Sequence, residues 1–525
     1  MHYGSFFMEK YMFTEIVTFD EAYFGRKVLK YADTTNLTYT KVAEILDSGI
    51  FRMHLENADD INDLYWFYRG NQPILNRVKE IRPEIANKVV ENRAFEVVEF
   101  KKGYEFSHPI QYTNVGSKET ARIDALNTFA RLDGKETKDL QLGEWEFIAG
   151  LGFRIVLPKK NHTVDESPYY TQALDPRNTF VVYASGVEGR QLFSCSYSEE
   201  TKNIVDKKYR VGIYTDNWYY EWELDSLHSS FTSLKPVRVE PNPLRMNPII
   251  EYPLNSSRIG YVDLCFSLQN AINNANSNRL DGIEQFIQQI IWFNNCTIDE
   301  EKMKQLESKN GGVIMTKDAG TNKASVQYLV QQLNQGDVQI TKEDLLSALY
   351  EVCGVPNRQQ TNAGGDTGQA VLLRNGWGSA ETRAKSTEKM FAKSENEYLK
   401  RVLNIVRRLE PESIGDLTLG DIGVNFTRNR SDNMQVKAQS LQMLLSAGIH
   451  PEDAYEISEL FSDPNASYIK AQAWAKEQEA KLEAERVKLL DEQMKLKELE
   501  NKAPQGDLDN NQNENESGNA TSEVE

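Results

Sequence analysis

The stretch with the strongest chemical signal is residues 362–377, which read NAGGDTGQAVLLRNGW. Closely spaced glycines followed by a helical pattern can form a phosphate-binding loop, because the free amides of a helix N-terminus face an anion. A nucleotide-binding P-loop also requires a lysine and a hydroxyl in Gly-x4-Gly-Lys-Ser/Thr. The stretch lacks the lysine, and the one Gly-Lys pair of the chain, Gly134-Lys135, has no glycine at the required upstream position. The sequence therefore predicts no ATP-driven motor subunit, and weak contact with a phosphate backbone stays open.

Other catalytic patterns are absent from the sequence. The histidines show neither His-x3-His nor His-x-His spacing, which disfavours zinc, and there is no Gly-x-Ser-x-Gly turn. The four cysteines are too scattered for a metal or redox motif, which indicates reduced thiols. Acidic pairs such as Asp59-Asp60 are expected by chance in a chain with 78 Asp and Glu. We therefore predict no enzyme, no metal and no cofactor.

Charge and composition bound the remaining functions. The 525 residues contain 60 Lys and Arg against 78 Asp and Glu, a net charge of −18. This balance argues against gripping DNA with a broad basic face, although DNA could still pass such a protein without sticking. No signal peptide and no run of 18 apolar residues are found, so we expect a soluble protein made inside a cell.

The spacing of apolar residues in the first half of the chain changes from a helical to a strand pattern at two places. Residues 1–70 are predicted to be mainly helical, with one helix ending at Gly49, and residues 86–112 to begin as a helix and become a strand around Val97–Phe106. From about 145 to 250 short β-rich runs alternate, which predicts a β-meander.

A long helix is then predicted over residues 258–293, of order 50 Å at 1.5 Å per residue. Five asparagines within residues 270–278 are unfavourable in a helix. Either the helix presents these amides to other polar surfaces or a wet channel, or it breaks there.

The phosphate-binding candidate lies between two further helices. Residues 340–356 form a predicted helix with Thr341 as N-cap, and a second, longer helix starts at Thr367. The intervening residues have almost no apolar anchor, so the loop should project into solvent. Its candidate contact residues are Asn357, Arg358, Gln359, Gln360, Thr361, Asn362, Gly364, Gly365 and Asp366. An ordinary surface loop is the alternative.

The C-terminal part is predicted to contain a strand at 422–429 and helices at 433–447, 451–461 and 466–502. Leucines spaced by seven in the last helix give only a weak coiled-coil pattern, because no second apolar stripe accompanies them. Residues 503–525 are acidic and almost free of apolar side chains, which predicts disorder.

Several segments together resemble the portal (head–tail connector) proteins of tailed bacteriophages, of the long-tailed type. They are, in chain order, YRGNQPILNR (68–77), NKVVENRAFEVVEFKKGYEFSHPIQY (87–112), NPIIEYPLNSSRIGYVDLCFSLQNAINNANSNRLDGIEQF (247–286), GVP (354–356) with TGQAVLLR (367–374), IGVNFTRN (422–429) and LLSAGIHPEDAY (444–455). Each motif is loose, and the resemblance depends on their order over about 400 residues.

The resemblance implies an α+β portal fold that assembles into a ring, usually of twelve subunits. Its parts would be a wing (1–255), a first stem helix (256–293), a clip (294–339), a second stem helix (340–356), a tunnel loop (357–367), a long helix returning to the wing (368–409), a wing strand (410–430), a crown (431–502) and the acidic tail (503–525).

The function implied is a DNA channel at one capsid vertex, through which the genome is packaged and ejected. Double-stranded DNA would pass without sequence recognition, and the other partners would be the terminase large subunit, a head-completion or neck protein, and the major capsid and scaffold proteins, with no membrane. The protein would lie in the virion, and in the host cytoplasm during assembly. The docking residues of the clip would be Gly311, Gly312, Val313, Ile314, Met315 and Lys317. No catalytic residue is carried over.

Two rival functions remain. A monomeric cytosolic adaptor could bind partners through the charged C-terminal helix, and it would form no ring. A metal-dependent phosphoryl-transfer enzyme would need carboxylates at the end of a strand and would show metal-dependent turnover.

Overall fold

The computed structural model describes residues 25–80, 83–115, 120–201, 207–287, 290–294, 325–329, 335–357, 376–428, 434–458, 460–461 and 464–500. The chain divides into two compact units, Met1–Ser431 and Asp432–Glu525. The acidic tail lies outside the described residues. Among those described, none of the helices combines the length and apolar character that crossing a bilayer requires.

The N-terminal helices are interrupted by one glycine. Helix α1 (Tyr39–Ile45) passes through a widened turn, Leu46–Ile50, into α2 (Phe51–Tyr68). Gly49 lies in this turn with φ = +110°, a conformation that favours glycine. The predicted helix end at Gly49 is thus a kink, after which the chain continues as a helix.

The strand predicted at Val97–Phe106 is wrong, because residues Arg93–Glu105 form helix α3. Val97 and Val98 are both buried in the largest apolar core, which a helix achieves here by packing one face inward. The side chain of Asn92 accepts a hydrogen bond from the amide of Phe95 (3.3 Å) and starts the helix. Tertiary burial and this cap outweigh the strand propensity of valine and phenylalanine.

The β-meander predicted at about 145–250 is confirmed only in part: three strands of that range form a separate sheet and residues 147–149 are helical, whereas the other five strands join an N-terminal strand in a six-stranded sheet of order β1-β5-β6-β7-β8-β9. Its strands are β1 (Lys30–Tyr31), β5 (Thr179–Ala184), β6 (Gln191–Thr201), β7 (Lys207–Tyr214), β8 (Trp218–Leu224) and β9 (Arg238–Pro241). Only the β1–β5 pair is parallel. Tyr220 and Trp222 of β8 are buried, whereas Trp218 at its start is 43% exposed.

A smaller sheet lies between the meander and the helices. Its strands are, in spatial order, β10 (Ile249–Pro253), β3 (Leu151–Pro158) and β4 (Tyr169–Leu174). Two helices, α4 (Thr120–Leu132) and α5 (Lys135–Ala149), precede β3. Strand β2 (Gln111–Asn114) pairs instead with β13 (Ile422–Asn425), which joins two segments of the first unit that are far apart in sequence.

The long helix predicted at 258–293 is α6, which spans Tyr261–Ile287 and is about 40 Å long. The helix continues through the asparagine-rich centre, so the alternative of a break there is wrong. Its C-terminal end was placed too late, because Ile290 and Ile291 belong to strand β11 (Ile290–Asn294). A short apolar run does not distinguish a helix end from a strand.

One polar face of α6 binds an extended backbone segment, residues 87–93. We call the set of hydrogen bonds between them the polar ladder. Four side chains of α6, spaced four residues apart, each accept one hydrogen bond from a backbone amide of the segment. The four amides belong to every second residue of that segment. The pairs are Gln269 with Arg93 (2.8 Å), Asn273 with Glu91 (3.0 Å), Ser277 with Val89 (3.0 Å) and Asp281 with Asn87 (2.8 Å). All four acceptors are buried. Of the five asparagines in residues 270–278, Asn273 belongs to the ladder and Asn276 donates to the Glu91 carboxylate (2.5 Å), so these two amides meet a polar surface, as one of the sequence alternatives predicted.

Three more helices and one strand complete the first unit. They are β12 (Ser325–Leu329), α7 (Gln335–Cys353), α8 (Trp377–Leu409) and α9 (Pro411–Ile414). The predicted N-cap at Thr341 is wrong, because α7 begins six residues earlier and the Thr341 hydroxyl donates to the carbonyl of Asp337 inside the helix (2.8 Å). The predicted stop at Gly354 is confirmed, and its φ of +62° ends the helix.

The second unit consists of helices close to their predicted bounds. These are α10 (Met434–Ser446), α11 (Pro451–Ser458) and α12 (Pro464–Glu500). Tyr455 and Tyr468 hold α11 against α12 with ring centroids 5.9 Å apart. Leu482 and Leu489 of α12 are both at least 60% exposed.

The polar ladder can be tested by Asn273→Ala, which removes the acceptor of the Glu91 amide together with the hydrogen bonds of the same side chain to Gln269 and Gln72. An unpaired buried amide costs about 1–3 kcal/mol, so the free energy of unfolding should fall by about that amount. Asn274, the next residue, is exposed, and Asn274→Ala is the matched control with the same change in helix propensity. Denaturant unfolding of both variants gives the comparison, and equal midpoints would show that the ladder contributes nothing.

Candidate functional site

The structure describes the bases of the two predicted functional segments rather than the segments themselves. Of the tunnel loop, only Asn357 is described. The other loop candidates, Arg358, Gln359, Gln360, Thr361, Asn362, Gly364, Gly365 and Asp366, lie outside the described residues. So do the clip candidates Gly311, Gly312, Val313, Ile314, Met315 and Lys317. The predicted helix start at Thr367 is also outside, and α8 is described from Trp377.

The chain meets itself on either side of residues 357–375, the segment that includes the tunnel loop. Gly376 precedes α8 with φ = +83°, and a Cβ added to it would lie 3.8 Å from Cα of Pro356, which follows α7. The Arg383 guanidinium donates to the carbonyl of Val352 and ties α8 to the last turn of α7. Because these contacts fix both ends, the chain leaves the body and returns at the same point.

The clip has a base of the same kind. Strands β11 and β12 pair antiparallel, and their last register pair is Asn294 with Ser325. The residues between them are outside the described part of the chain, and the two strands hold their ends side by side. This two-stranded sheet follows α6 and precedes α7.

Helices α6 and α7 form an antiparallel pair. Arg279 of α6 donates to Gln339 near the start of α7 (2.9 Å), and Cys265 of α6 lies beside Cys353 at the end of α7. Contact with Cys353, together with burial, raises the pKa of the Cys265 thiol well above its usual value. The base of the clip and the base of the tunnel loop therefore lie at opposite ends of α7, about 28 Å apart along its axis.

Glu91 connects both helices to the polar ladder. Its carboxylate accepts from Asn276 of α6 (2.5 Å) and pairs with Lys342 of α7 (2.8 Å). Although burial by itself raises the pKa of Glu91, Lys342, Arg93 and Asn276 lower it to about 2. The carboxylate is thus charged at any physiological pH and holds both helices against the same extended segment.

Helix α8 is fixed by a buried, charge-balanced network around Glu395. Its carboxylate pairs with Lys135 (2.7 Å) and Arg154 (3.4 Å) and accepts from the hydroxyls of Tyr112 (2.7 Å) and Tyr252 (2.9 Å). Asp139 pairs with the same two cations. Burial raises the pKa of Glu395, but the attraction of Lys135 and then Arg154 outweighs it, so the pKa lies below the ordinary value. Two cations balance two carboxylates, which is the condition for burying charge.

A second group of carboxyls surrounds Arg428, just after β13. Arg428 pairs with Glu381 (2.7 Å) and with Glu388, both on α8. Burial is the main cause that raises the pKa of Glu388, to about 7, because Arg428 offsets it only in part. Burial also raises the pKa of the neighbouring Glu105. In the part of the chain described, no group of His, Cys, Asp or Glu has the arrangement of a metal site.

Sequence reasoning did not identify the residues that position α6 and α7. Four polar side chains spaced by four residues, Gln269, Asn273, Ser277 and Asp281, were visible as a stripe along the predicted helix. Such a stripe indicates a buried polar contact. The partner could not be read from it, because residues 87–93 lie nearly 200 positions away.

The comparison with protein families found one matching family model. The family model described as "Phage portal protein, SPP1 Gp6-like" matches residues 47–484. No individual curated protein matches the chain. Because the family match covers most of the 525 residues, the chain belongs to the SPP1 Gp6-like family of phage portal proteins. The predicted family is thereby confirmed, and with it a phage portal role. Proteins of this family are generally structural, and the family implies ring assembly and association with the capsid.

The carboxyl group of Glu388 should make stability depend on pH. A carboxyl whose pKa is higher in the folded than in the unfolded protein holds its proton more tightly when folded. The stability this provides is present below about pH 4.5 and is lost as the pH rises through about 7. Glu388→Gln should remove this loss, whereas the wild type should keep it. Exposed Glu412→Gln is the matched control. Unfolding midpoints at both ends of this range measure the difference, and parallel pH profiles for all three proteins would contradict the assignment.

Proposed function

We propose that this chain forms the ring-shaped channel at one capsid vertex through which the viral genome is packaged and later ejected. The observation that carries the proposal is the family match over residues 47–484. The antiparallel pair α6–α7 supports it, since this pair would be the stem that lines the channel. In this assignment residues 1–255 belong to the wing and residues 431–502 to the crown.

The tunnel loop would face DNA at the narrowest part of the channel. Its amides and its one guanidinium, Arg358, can contact phosphates without reading sequence, because phosphate contacts carry no base information. The net charge of −18 would repel the phosphate backbone on average, so that DNA slides through the ring instead of binding to it.

The clip would be the docking surface for the terminase large subunit during packaging and for a head-completion or neck protein afterwards. Its base at the far end of the α6–α7 pair supports this division, because the stem would separate it from the tunnel loop. Terminase binding to a ring that lacks residues 295–324 tests the docking role, and retention of full binding would contradict it. Major capsid and scaffold proteins would surround the ring, in the host cytoplasm during assembly and in the virion afterwards.

Electron microscopy of the purified full-length chain, viewed along the particle axis, is the first test of the ring. We expect a closed ring of about twelve subunits, with a hole wider than a DNA duplex of roughly 20 Å. Single chains at every concentration tried would contradict the channel function and favour the monomeric adaptor. Rings that package no DNA in a reconstituted capsid would separate assembly from the proposed activity.

The tunnel-loop assignment is tested by Gln359→Lys combined with Gln360→Lys. Two added positive charges per subunit should attract the phosphates of passing DNA and slow its translocation several-fold, more strongly at low salt. The charge-matched control is Gln111→Lys with Gln172→Lys, both exposed on strands of the wing. The rate of ATP-driven packaging, followed by nuclease protection, gives the result. Packaging at the wild-type rate by the loop variant would place the loop outside the channel.

A further inference from the structure

A groove of about 620 Å³ runs along one side of α8 in the first unit. Its apolar floor consists of Val28, of Ile250 and Pro253 on strand β10, and of Met390 on α8. Lys30 of β1 and Arg190 before β6 also line it. The groove thus combines apolar and polar side chains, which suits an extended peptide.

The lining of this groove is positively charged in a chain that is acidic overall. Five cations and three carboxylates line it, and three of the cations are paired within the fold: Arg190 with Asp33 (2.6 Å), Arg258 with Glu251 (2.5 Å) and Arg401 with Glu397 (2.8 Å). The other two, Lys30 and Lys393, are exposed, and neither has an ion-pair partner among the described residues. Against these two lysines stands one lining carboxylate without an ion pair among the described residues, Glu188, so the lining keeps an excess of positive charge, which favours an acidic occupant.

The described chain begins at the rim of this groove. Gly25 lies against Ser257, so closely that a Cβ on Gly25 would come within 1.7 Å of the Ser257 carbonyl oxygen. The amide of Arg26 donates to the carbonyl of Arg258 (3.2 Å), and its guanidinium pairs with buried Asp263 (2.6 Å). Ser256 and Arg258 themselves line the groove. Residues 1–24 therefore continue from its edge.

The composition of residues 1–24 complements the groove. This segment has eight aromatic residues, and its four carboxylates face only one lysine. The aromatic side chains gain free energy by leaving water for an apolar surface. Fully extended, 24 residues reach about 80 Å, whereas the stretch of α8 from Met390 to Arg401 is about 17 Å long. Attachment at Gly25 gives the segment a local concentration in the millimolar range.

We propose that residues 1–24 of the same chain occupy this groove, with their carboxylates on Lys30 and Lys393 and their aromatic side chains on the apolar floor. The segment covers a surface of α8 that the described fold leaves open. A second copy of the chain and a separate acidic peptide are the competing occupants, and both are distinguished below.

Limited chymotrypsin digestion of the full chain tests the proposal, because chymotrypsin cleaves after aromatic residues. Lys30→Glu combined with Lys393→Glu should reverse the attraction and release the segment, so that cleavage within residues 1–24 becomes about tenfold faster. Lys389→Glu, one turn earlier on α8 and outside the groove, is the matched control and should cleave at the wild-type rate. Equal rates in wild type, double variant and control would overturn the proposal.

Carbodiimide cross-linking of the unaltered protein identifies the occupant independently. Isotope-labelled and unlabelled chains are mixed before cross-linking. We expect Lys30 or Lys393 to be joined to a carboxylate of residues 1–24, and we expect both partners of each cross-link to carry the same label. Cross-links that join two labels would assign the groove to a second copy. No cross-link to residues 1–24, with either lysine joined to another protein, would assign it to a separate acidic partner. Both results would overturn the proposal and leave the ring function untouched.

Discussion

The rest of this structure depends on the similar lengths of two repeats: four residues along helix α6 and two residues along the extended segment 87–93. Four residues of an α-helix advance about 6.0 Å, and two residues of extended backbone advance about 6.6 Å. Side chains at every fourth position of α6 can therefore reach alternate amides of residues 87–93. The mismatch of roughly 0.6 Å per step accumulates, which limits such a ladder to a few steps, and this one has four. Buried amides of an unpaired extended segment would otherwise be left without acceptors.

The position of α6 determines that of the other functional elements. Glu91, fixed by its amide in the ladder, uses its carboxylate to hold Asn276 of α6 and Lys342 of α7. Helix α8 is placed separately, by the network around Glu395. Replacing a buried ion pair with apolar residues is often neutral or stabilising, so such a network adds little net stability. Its geometric demands are strict, however, and we interpret it as fixing the orientation of α8 over the smaller sheet.

The sequence predicted elements more reliably than their ends or their partners. Helix α6 followed from apolar spacing, yet Ile290 and Ile291 extended the prediction into a strand, because a short apolar run fits both periods. Val97 in α3 shows the opposite error, since its strand propensity yields to burial in the core. Thr341 carried a capping signal that the helix did not use. The ladder itself depends on two segments nearly 200 residues apart, and no local pattern specifies such a pairing. The contact residues of the tunnel loop and the clip stay predictions.

The two predicted functional segments, the clip and the tunnel loop, are attached so that changes in their residues need not alter the stability of the fold. Each has its two ends joined on the body, by the register pair Asn294–Ser325 for the clip and by the approach of Gly376 to Pro356 for the tunnel loop. When the ends of a loop are already close, doubling its length costs only about 0.6 kcal/mol of closure free energy. Residue type and length between the bases can then change while the ladder and the Glu395 network remain as they are. The antiparallel α6–α7 pair holds the two bases at opposite ends of α7, so a change in one segment leaves the attachment of the other as it is.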